Sequence, residues 1–193
     1  MGLTLRDDLP PEVYPLAWLV GSWRGQGTIG YGPVAPGGII QELEFRATDG
    51  PYLAYHAQTW LLPDPQEPPD AQDPKGPKGP EDPEDAENPQ LWHEETGFWR
   101  VAPGQTQSDP PFQIEVLITD AAAYLSAYLG QIDGPRIQLA TDALVRTLTA
   151  PEIEAATRIY GLVDGDLLWA WDIAGFGLEL GSYMAAQLKR TGP

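Results

Sequence analysis

The chain has 193 residues, 42% of them apolar, with no cysteine and a formal net charge of −17. That is the size of one domain with a real core, and the missing cysteines exclude a disulfide scaffold, a thiolate zinc site, an iron–sulfur cluster and a cysteine nucleophile. An acidic surface repels phosphate backbones and anionic headgroups, which argues against nucleic acid or membrane as partner, and with no export-like apolar run in MGLTLRDDLPPE the expected location is the cytoplasm.

A short helix is expected near Tyr14–Val20, with Trp18 and Leu19 able to cap a barrel end. The first strand follows in Gly21-Ser22-Trp23-Arg24-Gly25-Gln26-Gly27. An indole at a strand start can floor a barrel, and Gly25 and Gly27, two apart on one face, permit close backbone or ligand approach. Gly38–Arg46 (GIIQELEFR) and Tyr52–Leu62 (YLAYHAQTWLL) are rich in β-branched and aromatic residues and continue as strands, with Asp49-Gly50-Pro51 as the turn between them.

From Pro63 to Asn88 the composition changes. The segment has no aromatic residue, and nine acidic side chains against Lys75 and Lys78 give it −7 of the chain's charge. Proline removes backbone donors and like charges repel, so it is expected to be a disordered, acidic, Pro-rich insertion in a hairpin at about 63–89. A tolerated surface insertion and a recruiting tail for a basic or proline-binding partner are the two alternatives.

Strand-like runs resume at Leu91–Val101, Phe112–Thr119, Tyr124–Ile132, Arg136–Thr141, Leu144–Thr149, Ala155–Leu162, Leu167–Ile173 and Tyr183–Leu188. Asp133-Gly134-Pro135, Asp142 and Asp164-Gly165 read as turns between them. About ten strands with short turns and no long amphipathic helix predict an all-β, antiparallel, closed barrel in a single domain over 1–193, since closure removes exposed edges.

The opening PLAWLVGSWRGQGTIGY, with Gly21, Trp23, Gly25 and Gly27 as its GxWxGxG, resembles the nitrobindin family of fatty-acid-binding-protein-like, haem-binding barrels. LAYHAQTW, HEETGFWRV, RIYGLVDGDLLWAWDIA and LGSYMAAQLKR are similar to it in order and spacing. The resemblance implies a ten-stranded barrel with haem b at its open end, ferric iron held by a histidine of the last strand, and peroxynitrite isomerisation. Set against the family's C-terminal pattern, that histidine falls on Tyr183. The family's threonine close to haem falls on Pro33, and aromatics beyond it on Gly37 and Gly38.

A phenol ligates iron only as phenolate, with an ordinary pKa of about 10. The segment offers no base nearer than Lys189 and Arg190, and Met184, Ala186 and Leu188 make the more apolar strand face. Tyr183 is thus either an altered ligand or a packing residue. His93, with Glu95 two residues on, is expected as a polar pair at the cavity or on the surface; His56 is a substitute haem contact or a strand residue. Two histidines without a third clustered donor make no metal site. Arg24, Arg46, Arg100, Arg136, Arg146 and Arg158 stand singly and are expected on solvated faces.

The expectation is a barrel whose haem site is degenerate, with no cofactor required, binding a small hydrophobic molecule. Pro33, His56, Trp60, His93, Trp169, Trp171 and Phe176 are the candidate pocket and no residue is assigned to catalysis. A ferric haem protein of altered ligation acting on peroxynitrite or nitric oxide is the enzymatic alternative, an inert barrel that recruits a partner through its acidic loop is a third, and a homodimer is open.

Overall fold

A computed structural model describes residues 9–63, 89–104 and 110–192. The Pro-rich segment from 64 to 88 lies outside the described residues, and with it the expectation of disorder there. A 3₁₀ helix, Pro11–Leu19, precedes ten strands: β1 (Gly21–Tyr31), β2 (Val34–Ala47), β3 (Leu53–Leu61), β4 (Gln90–Val101), β5 (Phe112–Asp120), β6 (Tyr124–Asp133), β7 (Arg136–Arg146), β8 (Ile153–Val163), β9 (Asp166–Gly175) and β10 (Leu178–Gly192). Each pairs antiparallel with its sequence neighbours, and β10 pairs with β1, so the sheet is a closed barrel without edges. No helix among the described residues is long and apolar enough to cross a membrane.

Strand alternation sets the interior. Leu53, Tyr55, Ala57 and Thr59 of β3, Trp169, Trp171 and Ile173 of β9, and Met184, Ala186 and Leu188 of β10 are buried, and the residues between them are less so.

Odd-numbered strands start at the end closed by the helix and finish at the other, which is the mouth. The helix runs as 3₁₀ because Pro10, Pro11 and Pro15 remove donors from its short span. It buries Val13, Leu16, Ala17, Trp18 and Leu19 in the barrel end. Trp23 is its floor plate: the indole Nε1 donates to the carbonyl of Leu19 at 2.7 Å, and the Arg190 guanidinium lies 4.1 Å from the ring centre. Arg190 also donates to the carbonyls of Trp18 (2.8 Å) and Val20. Gly25 and Gly27 serve the backbone: a Cβ on either would overlap a carbonyl oxygen of β10, at Gln187 and Ala185 respectively.

Several boundaries differ from those expected: the helix spans Pro11–Leu19 rather than Tyr14–Val20, and β10 runs from Leu178 to Gly192 rather than from Tyr183 to Leu188. Arg136–Thr141 and Leu144–Thr149 are not separate strands, because β7 continues to Arg146. Asp142 is no turn: the register with β6 passes from Thr141 to Ala143 there, so Asp142 is the extra residue of a bulge. The second strand begins at Val34 rather than Gly38, since the turn after Tyr31 takes only Gly32, at φ 56°, and Pro33.

Candidate functional site

The interior is crossed by an ion pair between strands that are not neighbours. Arg158 of β8 and Glu95 of β4 are only 1% and 2% exposed and meet in a bidentate contact, with both nitrogen–oxygen distances 2.7 Å. Tyr55 donates its hydroxyl to Glu95 Oε1 at 2.6 Å, and His93 Nε2 lies 3.3 Å from Oε2. The guanidinium sits 4.2 Å from the Trp171 ring centre and 5.3 Å from that of Tyr128, and donates to the Tyr160 hydroxyl at 3.4 Å. Nearer β1, Trp169 Nε1 donates to Gln41 Oε1 (2.6 Å) and Gln41 Nε2 to Thr59 Oγ1 (2.9 Å).

Burial by itself raises a carboxyl pKa, but here the Arg158 charge and its hydrogen bonds outweigh burial and hold Glu95 well below the usual carboxylate range. The same pairing works against burial at Arg158 and keeps its guanidinium charged. Burial, with the Glu95 charge behind it, pushes the Tyr55 phenol well above its ordinary value, and burial pushes Tyr160 up to about 12. This centre is one cation, one anion and a set of phenols that stay protonated.

The mouth is built by two irregularities. Between β10 and β9 the register passes from Ser182 to Met184, leaving Tyr183 as the extra residue; between β4 and β3 it passes from Leu91 to His93, leaving Trp92. A bulged residue leaves the strict in–out alternation, so Tyr183 packs on the buried core even though Met184 beside it already faces in. β4 and β10 are separated by β1, β2 and β3, yet Trp92 Nε1 donates to the Tyr183 hydroxyl at 3.1 Å, a contact that spans the opening. The Tyr183 ring meets Trp171 edge to face at 5.0 Å, and Trp171 meets His93 at 5.5 Å. Burial raises the Tyr183 pKa; the Trp92 bond works against that, while the Asp120 and Glu95 carboxylates add to it. Asp120 stands opposite Glu95 in the β4–β5 ladder, half-buried at the rim. The indole N–H of Trp171 and Nε of Arg158 are buried with no acceptor among the described residues.

Of the residues read from the sequence, the structure brings Tyr183, His93 and Trp171 together at the mouth and places Trp169 deeper in the interior. His93 and Glu95 form the expected pair, inside the barrel. His56 and Trp60 lie on the outer face, because β3 buries its odd-numbered residues; His56 is 43% exposed and binds Glu94 at 3.0 Å. His56 therefore reaches no interior ligand. Phe176 is at the rim in the β9–β10 turn, at φ 54° and 6.4 Å from Tyr31, and Pro33 is exposed in the β1–β2 turn. No group of three His, Cys, Asp or Glu side chains that could hold a metal occurs among the described residues.

Arg158 overturns the expectation that the arginines are solvated, and it is the main residue that the sequence pattern passed over. In Ala155–Leu162 it shares a strand face with Ala156 and Tyr160, both buried, and that face assignment is the signal that could have found it. Asp120 and Trp92 gave no signal, since one closes a strand and the other owes its position to a bulge.

Comparison with known proteins gives a consistent result. A family model described as "THAP4-like, heme-binding beta-barrel domain" matches residues 12–190. A "Ferric nitrobindin-like protein" of Beutenbergia cavernae is 41% identical over 98% of this chain and 99% of its own length. A "Peroxynitrite isomerase" of Kocuria rhizophila is 34% identical over 100% and 97%. The crystal structure of Rv2717c from M. tuberculosis superimposes with a TM-score of 0.72 at 24% identity, covering 95% of this chain and 99% of that one, and is similar in fold. This chain belongs to the THAP4-like, heme-binding β-barrel family, the nitrobindin family that its GxWxGxG opening resembles.

Proposed function

We propose that this member of the family is a binding protein whose haem site is degenerate and whose mouth takes a small, largely apolar molecule. Tyr183 carries the proposal. The resemblance of its C-terminal segment, GLELGSYMAAQLKR, to the family pattern implies that it stands where the axial histidine is expected, and its surroundings do not suit a phenolate on ferric iron. The hydroxyl is held by the Trp92 indole, the ring is wedged on Trp171, and the charges that bear on it are the Asp120 and Glu95 carboxylates. Carboxylates and burial disfavour a second negative charge, whereas an anionic oxygen ligand needs a cation beside it. His93, the imidazole of the interior, has Nε2 on Glu95 and its ring against Trp171. These residues do not fit a haem anchored on Tyr183.

They suit a small ring compound instead. Trp92, Trp171, Tyr183 and His93 supply flat faces at the opening. The names of relatives such as the Kocuria rhizophila protein support the other alternative, a ferric haem protein acting on peroxynitrite, which would need an iron ligand other than Tyr183.

Titration of the ¹⁵N-labelled chain with 2-phenylethanol tests the mouth. The indole N–H signals of Trp92 and Trp171 should move saturably, while those of Trp18 and Trp23 at the closed end stay in place. Unmoved mouth signals, or equal movement at both ends, would overturn the proposal.

A further inference from the structure

We infer that the mouth selects its ligand by charge, seating a small aromatic ammonium ion between Tyr183, Trp171 and Trp92 with its nitrogen toward Asp120. This rests on the proposal that the mouth binds a small apolar molecule, and adds the class of that molecule.

Aromatic faces attract cations through their ring quadrupoles, and the attraction grows where water is excluded. The barrel already uses Trp171 in this way on its inner side, where Arg158 stacks on it. At the mouth no described lysine or arginine is left to do the same: Arg158 is committed to Glu95, and Arg146, at the same end, to Glu152 at 3.1 Å, while the His93 imidazole is held on Glu95.

Asp120 supplies the other half of the site. Its Oδ1 accepts the backbone N–H of Tyr124 at 3.1 Å, and among the described residues no lysine or arginine pairs with it. It stands directly across from Glu95, whose own charge is cancelled by Arg158. A half-buried carboxylate that no described lysine or arginine pairs with is costly; burial and the Glu95 charge raise its pKa, against the backbone N–H bonds of Tyr124 and Ala122 and the His93 imidazole. A ligand ammonium would provide a counter-charge. An anionic ligand would meet the Asp120 charge, which no lysine or arginine among the described residues pairs with.

Three probes of one shape and different charge test this on the full chain: phenethylammonium, 2-phenylethanol and 3-phenylpropionate, each followed at the Trp92 and Trp171 indole signals. Phenethylammonium should bind about tenfold more tightly than 2-phenylethanol, a difference of about 1.4 kcal/mol, and 3-phenylpropionate most weakly. Asp120→Asn keeps an oxygen for the Tyr124 N–H and so preserves the turn; it should abolish the preference for the ammonium ion over 2-phenylethanol. Equal affinities for the ammonium ion and the alcohol, or a preference that survives in Asp120→Asn, would overturn the inference while leaving the mouth as a binding site. Silence with all three probes would overturn both.

Discussion

Replacing Arg158 with methionine should destabilise the barrel by about 3–5 kcal/mol, because Glu95 is then left charged and buried without its partner. The side chain is 1% exposed, so solvent screens little of this. Chemical denaturation with tryptophan fluorescence measures it. The double variant Arg158→Met with Glu95→Leu should recover most of the loss, since the cost arises from an orphaned charge rather than from missing volume. Arg158→Lys should not rescue, because a point charge cannot make two parallel contacts to one carboxylate. The pair also sets the acid limb of stability. The folded-state pKa of Glu95 lies below its unfolded value of about 4.3. Its contribution is therefore complete above that value and is lost as the pH falls toward the depressed one. Glu95→Gln should flatten the stability profile below about pH 4, and an unchanged slope there would remove Glu95 from this role.

Trp23→Ala should cost about 3–5 kcal/mol, the cost of opening a large cavity in a well-packed core. It removes the floor plate, the 2.7 Å bond to the Leu19 carbonyl and the surface on which Arg190 stacks. Trp23→Phe should cost less, since it keeps an aromatic plate and loses mainly the hydrogen bond, worth about 0.5–1.5 kcal/mol. Thermal or denaturant unfolding separates the two variants. Because the floor is at the far end from Tyr183, Trp23→Phe should leave 2-phenylethanol binding at the mouth intact.

The barrel could be read from the chain because its information is local. Alternating apolar residues, Asp-Gly turns and a GxW opening state strand, turn and floor one after another. The sequence reading failed where a single residue interrupts the period. Asp142 looks like a turn residue and is a bulge, and the split of β7 followed from that. Tyr183 is the same problem in the site: strict alternation sends it outward beside the inward Met184, and only the extra residue against β9 brings its ring to Trp171.

The central ion pair was hidden for another reason. An arginine in a strand reads as solvated because a lone buried charge is prohibitive. What permits Arg158 is Glu95, 63 residues away in sequence and four strands round the barrel. His93 and Glu95 were legible as a pair since they share one strand face, whereas the Tyr55 and Arg158 contacts to that carboxylate depend on closure of the sheet.

The account turns on what the mouth makes of iron porphyrin, and a haemin titration of the purified chain, followed by absorbance, asks this directly. The arrangement around Tyr183 predicts only a broad, non-saturating spectrum, like that of haemin adsorbed to any apolar surface. A sharp Soret band that saturates at one haemin per chain would contradict it, and loss of that band in Tyr183→Phe would show that the phenol is the iron ligand after all.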